Sequence, residues 1–160
     1  MCLKIKALTS VCNANLSNMI YYKNLLLIDD DEDDHEFFSD AVREIDSSIV
    51  CNCTLNGDLA LEELKSGAVS LPDLIILDTN MPRLSGKQIL QELKKDARLK
   101  NIPVIMYSTF LSERDNEEFL NLGAACYLAK PSKVKDFTTV LNSILTNQWP
   151  ITTPKIEEER

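Results

Sequence analysis

Short apolar runs alternate with helical stripes five times along this chain, and few folds accept that alternation. Asn24–Asp29 (NLLLID) has strand length and is apolar almost throughout, as a strand buried on both faces must be. Phe37, Phe38, Ala41, Val42 and Ile45 follow at helical spacing. The pattern then repeats. Ile49–Thr54 is a second strand. Ala60, Leu61 and Leu64 lie on a short helix ended by Gly67, and Asp73–Leu77 is a third strand. Ile89, Leu90 and Leu93 mark the third helix, and Ile102–Tyr107 the fourth strand. Ser112 with Asp115 starts the fourth helix, 112–122. Ala124–Ala129 is the fifth strand, and Val134, Phe137, Leu141, Ile144 and Leu145 stripe the last helix. Strands and helices in strict alternation predict an α/β fold, a parallel sheet with helices on both faces. In such sheets ligands bind beyond the carboxyl ends of the strands, so the strand ends are where chemistry is sought.

A chain of 160 residues suffices for one domain with a full core. The pattern places that domain at residues 21–147. Residues 1–20 carry no clear period; a start at Met19 or a flexible arm would each account for them. Residues 148–160 form a tail with Pro150, Pro154 and a polar end. The net charge of −8 weighs against nucleic acid or an anionic membrane as partner, because both need clustered Lys and Arg. It suits a cation or a basic protein face. No apolar run reaches membrane-span length. Lys4 and Lys6 interrupt the only stretch resembling a leader, so a cytoplasmic location is expected. Cys51 and Cys53 alternate on the second strand and face one way. They read as small buried hydrophobes in a reducing compartment, since a metal site would need further ligands and the single His is His35.

The strand ends are unusual as a set. The first ends in Asp29-Asp30, the third in Asp78, the fourth in Ser108 and the fifth in Lys130. One parallel sheet brings them to one edge. Asp31, Glu32, Asp33 and Asp34 are explained as a solvated helix start, where acids suit the macrodipole. Asp29 and Asp30 are not, because they close an apolar strand. Two carboxylates roughly 4 Å apart repel by about 4 kcal/mol at an effective dielectric of 20. A hard divalent cation such as Mg²⁺ offsets this. A calcium EF-hand loop is rejected: Asp34 stands where the turn Gly belongs, and a strand precedes the run. Asp78 begins the loop DTNMPRLSG (78–86), and a carboxylate beside a metal can attack a phosphoryl group. Pro82 stiffens this loop, and Gly86 permits close approach or an unusual backbone angle. Ser108 and Lys130, ordinary singly, together supply donors for phosphoryl oxygens.

Four motifs carry a resemblance: LLIDD (26–30), LDTNMP (77–82) with Gly86, PVIMYST (103–109) and GAACYLAKP (123–131). In this order, each at a strand end, they resemble the response-regulator receiver family of two-component signalling over roughly residues 24–146. The resemblance implies a flavodoxin-like, doubly wound (βα)5 fold with strand order 2-1-3-4-5. It implies Asp78 as phosphoacceptor, with the phosphoryl group drawn from a histidine kinase or a histidine phosphotransfer protein. It implies Mg²⁺ held by Asp29, Asp30, Asp78 and the Asn80 carbonyl, Asp29 acting mainly through water. Lys130 would pair with the phosphoryl group. Ser108 would hydrogen-bond it, and Tyr127 would turn inward as Ser108 moves. It also implies a cis Lys130–Pro131 bond, and an output face formed by the fourth helix, fifth strand and fifth helix. That face would meet a downstream protein target or form a homodimer. Side chains at 80 and 110 tune the phosphoryl lifetime in the family, and Phe110 is expected to shield it. The few residues after Asn147 suggest a stand-alone regulator with no enzymatic activity beyond self-catalysed phosphorylation and dephosphorylation. The stretch 96–109 (DARLKNIPVIMYST) resembles single-domain regulators paired with bacteriophytochromes and other hybrid kinases.

Two other readings fit parts of the pattern. A haloacid-dehalogenase-type phosphohydrolase would use Asp29 and Asp31, but it needs a second acidic pair after the Lys. Only Asp136 lies in the next twenty residues, and Asp78 would be left unexplained. A degenerate receiver acting as a plain binding module is disfavoured by the complete set of acids with Ser108 and Lys130.

Overall fold

The computed structural model describes residues 19–110 and 112–149. The remainder of the predicted tail, and all but two residues of the predicted N-terminal extension, including Cys2 and Cys12, lie outside the described residues. Ten elements alternate: β1 (Asn24–Ile28), α1 (Glu32–Ile45), β2 (Val50–Thr54), α2 (Gly57–Ser66), β3 (Leu74–Asp78), α3 (Gly86–Lys95), β4 (Val104–Ser108), α4 (Glu113–Asn121), β5 (Cys126–Ala129) and α5 (Val134–Leu145). All strand pairs are parallel, in the order β2-β1-β3-β4-β5. This is the doubly wound flavodoxin-like sheet expected.

Alternation along the strands divides the core in two. Leu25, Leu27, Leu74, Ile76, Ile105 and Tyr107 face α1 and α5. Ile75, Leu77, Val104 and Met106 face α2, α3 and α4. β3 and β4 are buried at all five positions, which is why their sequences read as unbroken apolar runs. β2 is an edge strand, and its burial is incomplete throughout. Cys51 and Cys53 do share a face but are only half-buried, a correction to the buried hydrophobes expected. An edge strand has sheet on one side only, and the local sequence does not reveal that position.

Local chemistry fixes the element ends. Asp31 caps α1 by accepting from the Asp33 N–H, Asn56 caps α2, and Ser112 caps α4 by accepting from the Asp115 N–H. Ser85 and Gln88 form a reciprocal capping box at the start of α3. Gly67 ends α2 in the left-handed region at φ 75°. Residues on either side of the expected domain touch its core. Ile20 and Trp149 both pack against the α1–α5 core, Trp149 edge-on to Tyr22 at 5.9 Å. The Tyr21 N–H also donates to the Leu145 carbonyl. Among the described residues no helix is long and apolar enough to cross a membrane.

Candidate functional site: an acidic pocket at the carboxyl edge of the sheet

Parallel register delivers the strand-end residues to one place. Asp78 lies beside Tyr107, and Ser108 beside Ala129, one residue before Lys130. Asp29 follows the last residue of β1, and its N–H donates to Thr54 O at the end of β2. Gly86 lets α3 start against this edge: a Cβ there would stand 2.1 Å from the Asp78 carbonyl oxygen. Of the two reasons the sequence left open for Gly86, close approach is therefore the one realised. Arg83, in the intervening loop, takes a left-handed conformation at φ 70°.

Carboxylate oxygens of Asp29, Asp30 and Asp78 lie within 4.8 Å of one another. Asp29 and Asp78 are buried, whereas Asp30 is exposed. Lys130 Nζ reaches the cluster as well, 2.7 Å from Asp29 Oδ2, 2.6 Å from Asp34 Oδ2 and 3.2 Å from Asp78 Oδ1. It also stands 5.3 Å from the centroid of the Tyr107 ring, whose buried hydroxyl has no hydrogen-bond partner among the described residues. Backbone donors orient both buried acids: Asp31 N–H donates to Asp29 Oδ1 at 3.0 Å, and Asn80 N–H to Asp78 Oδ2 at 3.1 Å.

Burial raises the pKa of Asp29 above the ordinary carboxylate value, against the opposing hydrogen bond from Lys130. Asp78 is raised for the same reason, again despite Lys130. Burial would lower Lys130, but its bonds to Asp29 and Asp34 outweigh this and hold it charged well above its ordinary value. One ammonium thus serves three carboxylates and leaves the cluster electron-rich. All its donors are hard oxygens, and two are buried. That set fits Mg²⁺ or a similar hard divalent ion, with Asp29, Asp30, Asp78 and the exposed Asn80 as the residues that would hold it.

Ser108 is 1 % exposed, and its Oγ accepts from the Phe110 N–H at 3.4 Å. Tyr127 is already turned inward: it packs on Phe119 at 5.9 Å, and its hydroxyl donates to the Phe110 carbonyl at 2.6 Å. The Phe110 ring is 82 % exposed and covers little of the surface beside it, so the expected shield is not formed in this arrangement. The Tyr127 bond holds the Phe110 backbone while leaving its side chain in solvent. The Lys130–Pro131 bond is trans, contrary to the cis bond expected. β5 already points Lys130 at the pocket, and the long side chain spans the rest.

Asp34 was assigned to the solvated helix start and instead reaches Lys130. It stands one helical turn past the Asp30–Asp31 corner, on the α1 face that meets the pocket. Asp31, which the phosphohydrolase reading required as a second pocket acid, spends its carboxylate on the Asp33 N–H as a helix cap. His35 Nε2 lies 2.7 Å from Asp29 O and so buttresses the strand end from α1.

Comparison with known proteins agrees with this geometry. The polar-differentiation response regulator DivK of Brucella ovis is 34 % identical over 92 residues, covering 58 % of this chain and 75 % of that protein. The phosphorylated cyanobacterial phytochrome response regulator RcpA superposes with a TM-score of 0.70 at 28 % identity, covering 77 % of this chain and 91 % of RcpA. The Mn²⁺-bound response regulator Rcp1 gives a TM-score of 0.67 at 28 % identity, covering 82 % and 97 % of the two chains. Residues 25–142 match the family described as the response regulator receiver domain, which takes in nearly every element of the sheet and its helices. This chain belongs to the response regulator receiver domain family.

Proposed function

We propose that the protein is a cytoplasmic phosphoacceptor switch whose Asp78 takes a phosphoryl group from a phosphohistidine on a sensor kinase or phosphotransfer protein. The observation that carries this reading is the gathering of Asp29, Asp30 and Asp78 around one buried edge, with Lys130 Nζ 3.2 Å from Asp78 Oδ1. Asp78 Oδ2 is held by the Asn80 N–H, so the carboxylate is oriented before a donor arrives. A carboxylate oxygen attacks phosphorus as the phosphorus–nitrogen bond breaks, giving an acyl phosphate on Asp78. Bound Mg²⁺ would supply neutralisation of phosphoryl charge. Lys130 exchanges part of its contact with Asp29 and Asp34 for a phosphoryl oxygen, and Ser108 donates its hydroxyl to another. RcpA is a phytochrome response regulator, and residues 96–109 resemble regulators paired with bacteriophytochromes and other hybrid kinases, so a kinase of either kind would suit as donor.

Incubation with acetyl phosphate and Mg²⁺, read by intact mass, tests the assignment. Wild type gains one phosphoryl mass and Asp78→Asn gains none; label on Asp78→Asn overturns it. Signal leaves through α4, β5 and α5 to a protein target. α4 buries only Phe119, so it is the helix most easily shifted. Ser108 ends the strand that leads into it, and drawing Ser108 toward phosphate biases that helix. Hydrogen exchange on phosphorylation should change most over α4. Changes confined to α1 and α2 would refute this route.

A further inference from the structure

The two thiols of β2 take no part in the chemistry above. Cys51 Sγ and Cys53 Sγ lie 3.9 Å apart on the face of the edge strand that meets α1. Ser39 Oγ of α1 stands 3.8 Å from Cys53 Sγ. These groups line a cleft of about 520 Å³ together with His35, Asp40 and Arg43. Both thiols are half-buried, so a small solute can reach them.

We propose that Cys53 and Cys51 form a peroxide-reactive dithiol, in which Cys53 attacks the peroxide first and Cys51 resolves the product to a reversible disulfide. The surroundings favour a thiolate at Cys53. A hydrogen bond to its sulfur from the Cys51 thiol, and one from the Ser39 hydroxyl, would lower Cys53 from the ordinary thiol value against the opposing effect of burial. In that arrangement the same bond, with burial adding to it, pushes Cys51 the other way. One thiolate beside one protonated thiol is the arrangement that sensor dithiols need. Cys126 is the contrast, a thiol on β5 that burial pushes up to about 12.

The steps balance. Cys53 thiolate attacks a peroxide oxygen; the sulfur–oxygen bond forms, the oxygen–oxygen bond breaks, and the leaving oxide takes a proton from water. Cys51 then attacks Cys53 sulfur; the disulfide forms, and the sulfenic oxygen departs as water with the proton from Cys51. The peroxide is reduced by two electrons, which the two thiols supply. Strand geometry sets how stable the product is. Residues two apart on a strand have Cα atoms about 6.6 Å apart, the upper end of the range a disulfide tolerates. The bond therefore forms with local shortening of β2 and is easily reduced. Only an edge strand, with one neighbour to disturb, gives way at so little expense.

The test treats the full chain with near-stoichiometric hydrogen peroxide and maps the peptides by mass. A Cys51–Cys53 disulfide, two hydrogens lighter and restored by dithiothreitol, is expected, with Cys126 still reduced. In Cys51→Ser, Cys53 should stop at a sulfenic acid captured by dimedone. In Cys53→Ser, Cys51 should stay reduced at the same dose. Ser39→Ala should slow alkylation of Cys53 several-fold at mildly acidic pH, without changing the fold seen by circular dichroism. Oxidation spread evenly over all five cysteines, undiminished reactivity of Cys51 in Cys53→Ser, or an unchanged alkylation rate in Ser39→Ala would each overturn the assignment.

Discussion

α5 and α4 flank the same strand, β5, and are built in opposite ways. α5 buries Phe137, Leu141, Ile144 and Leu145, packs on α1, and centres an aromatic cluster: Phe137 lies 5.5 Å from Phe37, 5.6 Å from Phe38 and 5.8 Å from Tyr107. α4 buries Phe119 alone and otherwise presents Glu113, Arg114, Asp115, Asn116, Glu117 and Glu118 to solvent or the rim. The first arrangement fixes the floor of the pocket, because Tyr107 lies directly beneath Lys130. The second leaves a helix that a small displacement at Ser108 can move. A switch needs both: a site that does not deform when charge arrives, and a neighbour that does.

The largest expected effect tests that division directly. Phe137→Ala removes the ring that joins α1, α5 and β4, and should destabilise by about 3–5 kcal/mol, the usual range for a buried Phe. Phe119→Ala should fall below that range, because its surroundings can collapse onto the surface. Urea midpoints of the two variants decide the matter. Equal losses would mean that α4 is as firmly built as α5, and that the proposed route for the signal lacks its weak element.

The firm half of the molecule is also the half that could be read from the sequence. β1, β3 and β4 lie inside the sheet, so their apolar runs announced them, and their terminal acids stood out because charge closing such a run has no structural cause. The edge character of β2 was invisible, since it depends on which strand lies beside it. Asp34 was missed for a similar reason. It looks like any acid in a first helical turn, and only the fold brings in Lys130, 96 residues away. The outward Phe110 ring belongs to the loop between β4 and α4, whose backbone Tyr127 holds through a contact across 17 residues with no local signal. The trans bond at Pro131 lies in a different loop, between β5 and α5.

A smaller effect is expected when the pocket itself is titrated. Burial raises Asp29 and Asp78 above ordinary carboxylate values. Without metal, the stability linked to these two groups is fully present below the ordinary carboxylate pKa. It is lost as pH rises through the raised folded values, because ionisation is then easier in the unfolded chain. Mg²⁺ would bind the ionised form, so its stabilisation should be weak in acid and grow toward neutral pH. At a hundredfold excess over Kd it should reach about 2.7 kcal/mol. Melting temperature with and without Mg²⁺, followed across pH, measures this. Asp30→Ala should abolish the Mg²⁺ response while leaving Phe137 and its cluster intact. An equal response in wild type and variant would place the metal elsewhere.

The smallest effect is expected at Phe110, where the two halves meet. Its carbonyl is bound to Tyr127, its N–H points at Ser108, and its ring is in solvent. Hydrolysis of the phosphoryl group proposed on Asp78 would need a water in line with the phosphorus–oxygen bond, and a ring that stands in solvent does not exclude it. Phe110 can act as a shield only if the loop closes over the phosphate, which requires the Tyr127 hydroxyl to follow or release the carbonyl. Releasing that bond costs about 1 kcal/mol, a modest barrier to closure but enough to leave the open form well populated. Phe110→Glu should therefore shorten the phosphoryl lifetime only modestly. Tyr127→Phe, which frees the carbonyl, should make the same substitution matter more. The measurement is loss of phosphoryl label after donor removal in wild type, both single variants and the double variant. A large effect of Phe110→Glu in the presence of Tyr127 would show that the loop closes without releasing its tether. No effect in either background would mean that the ring never reaches the pocket, and that water access is set at Asn80 on the other side of Asp78.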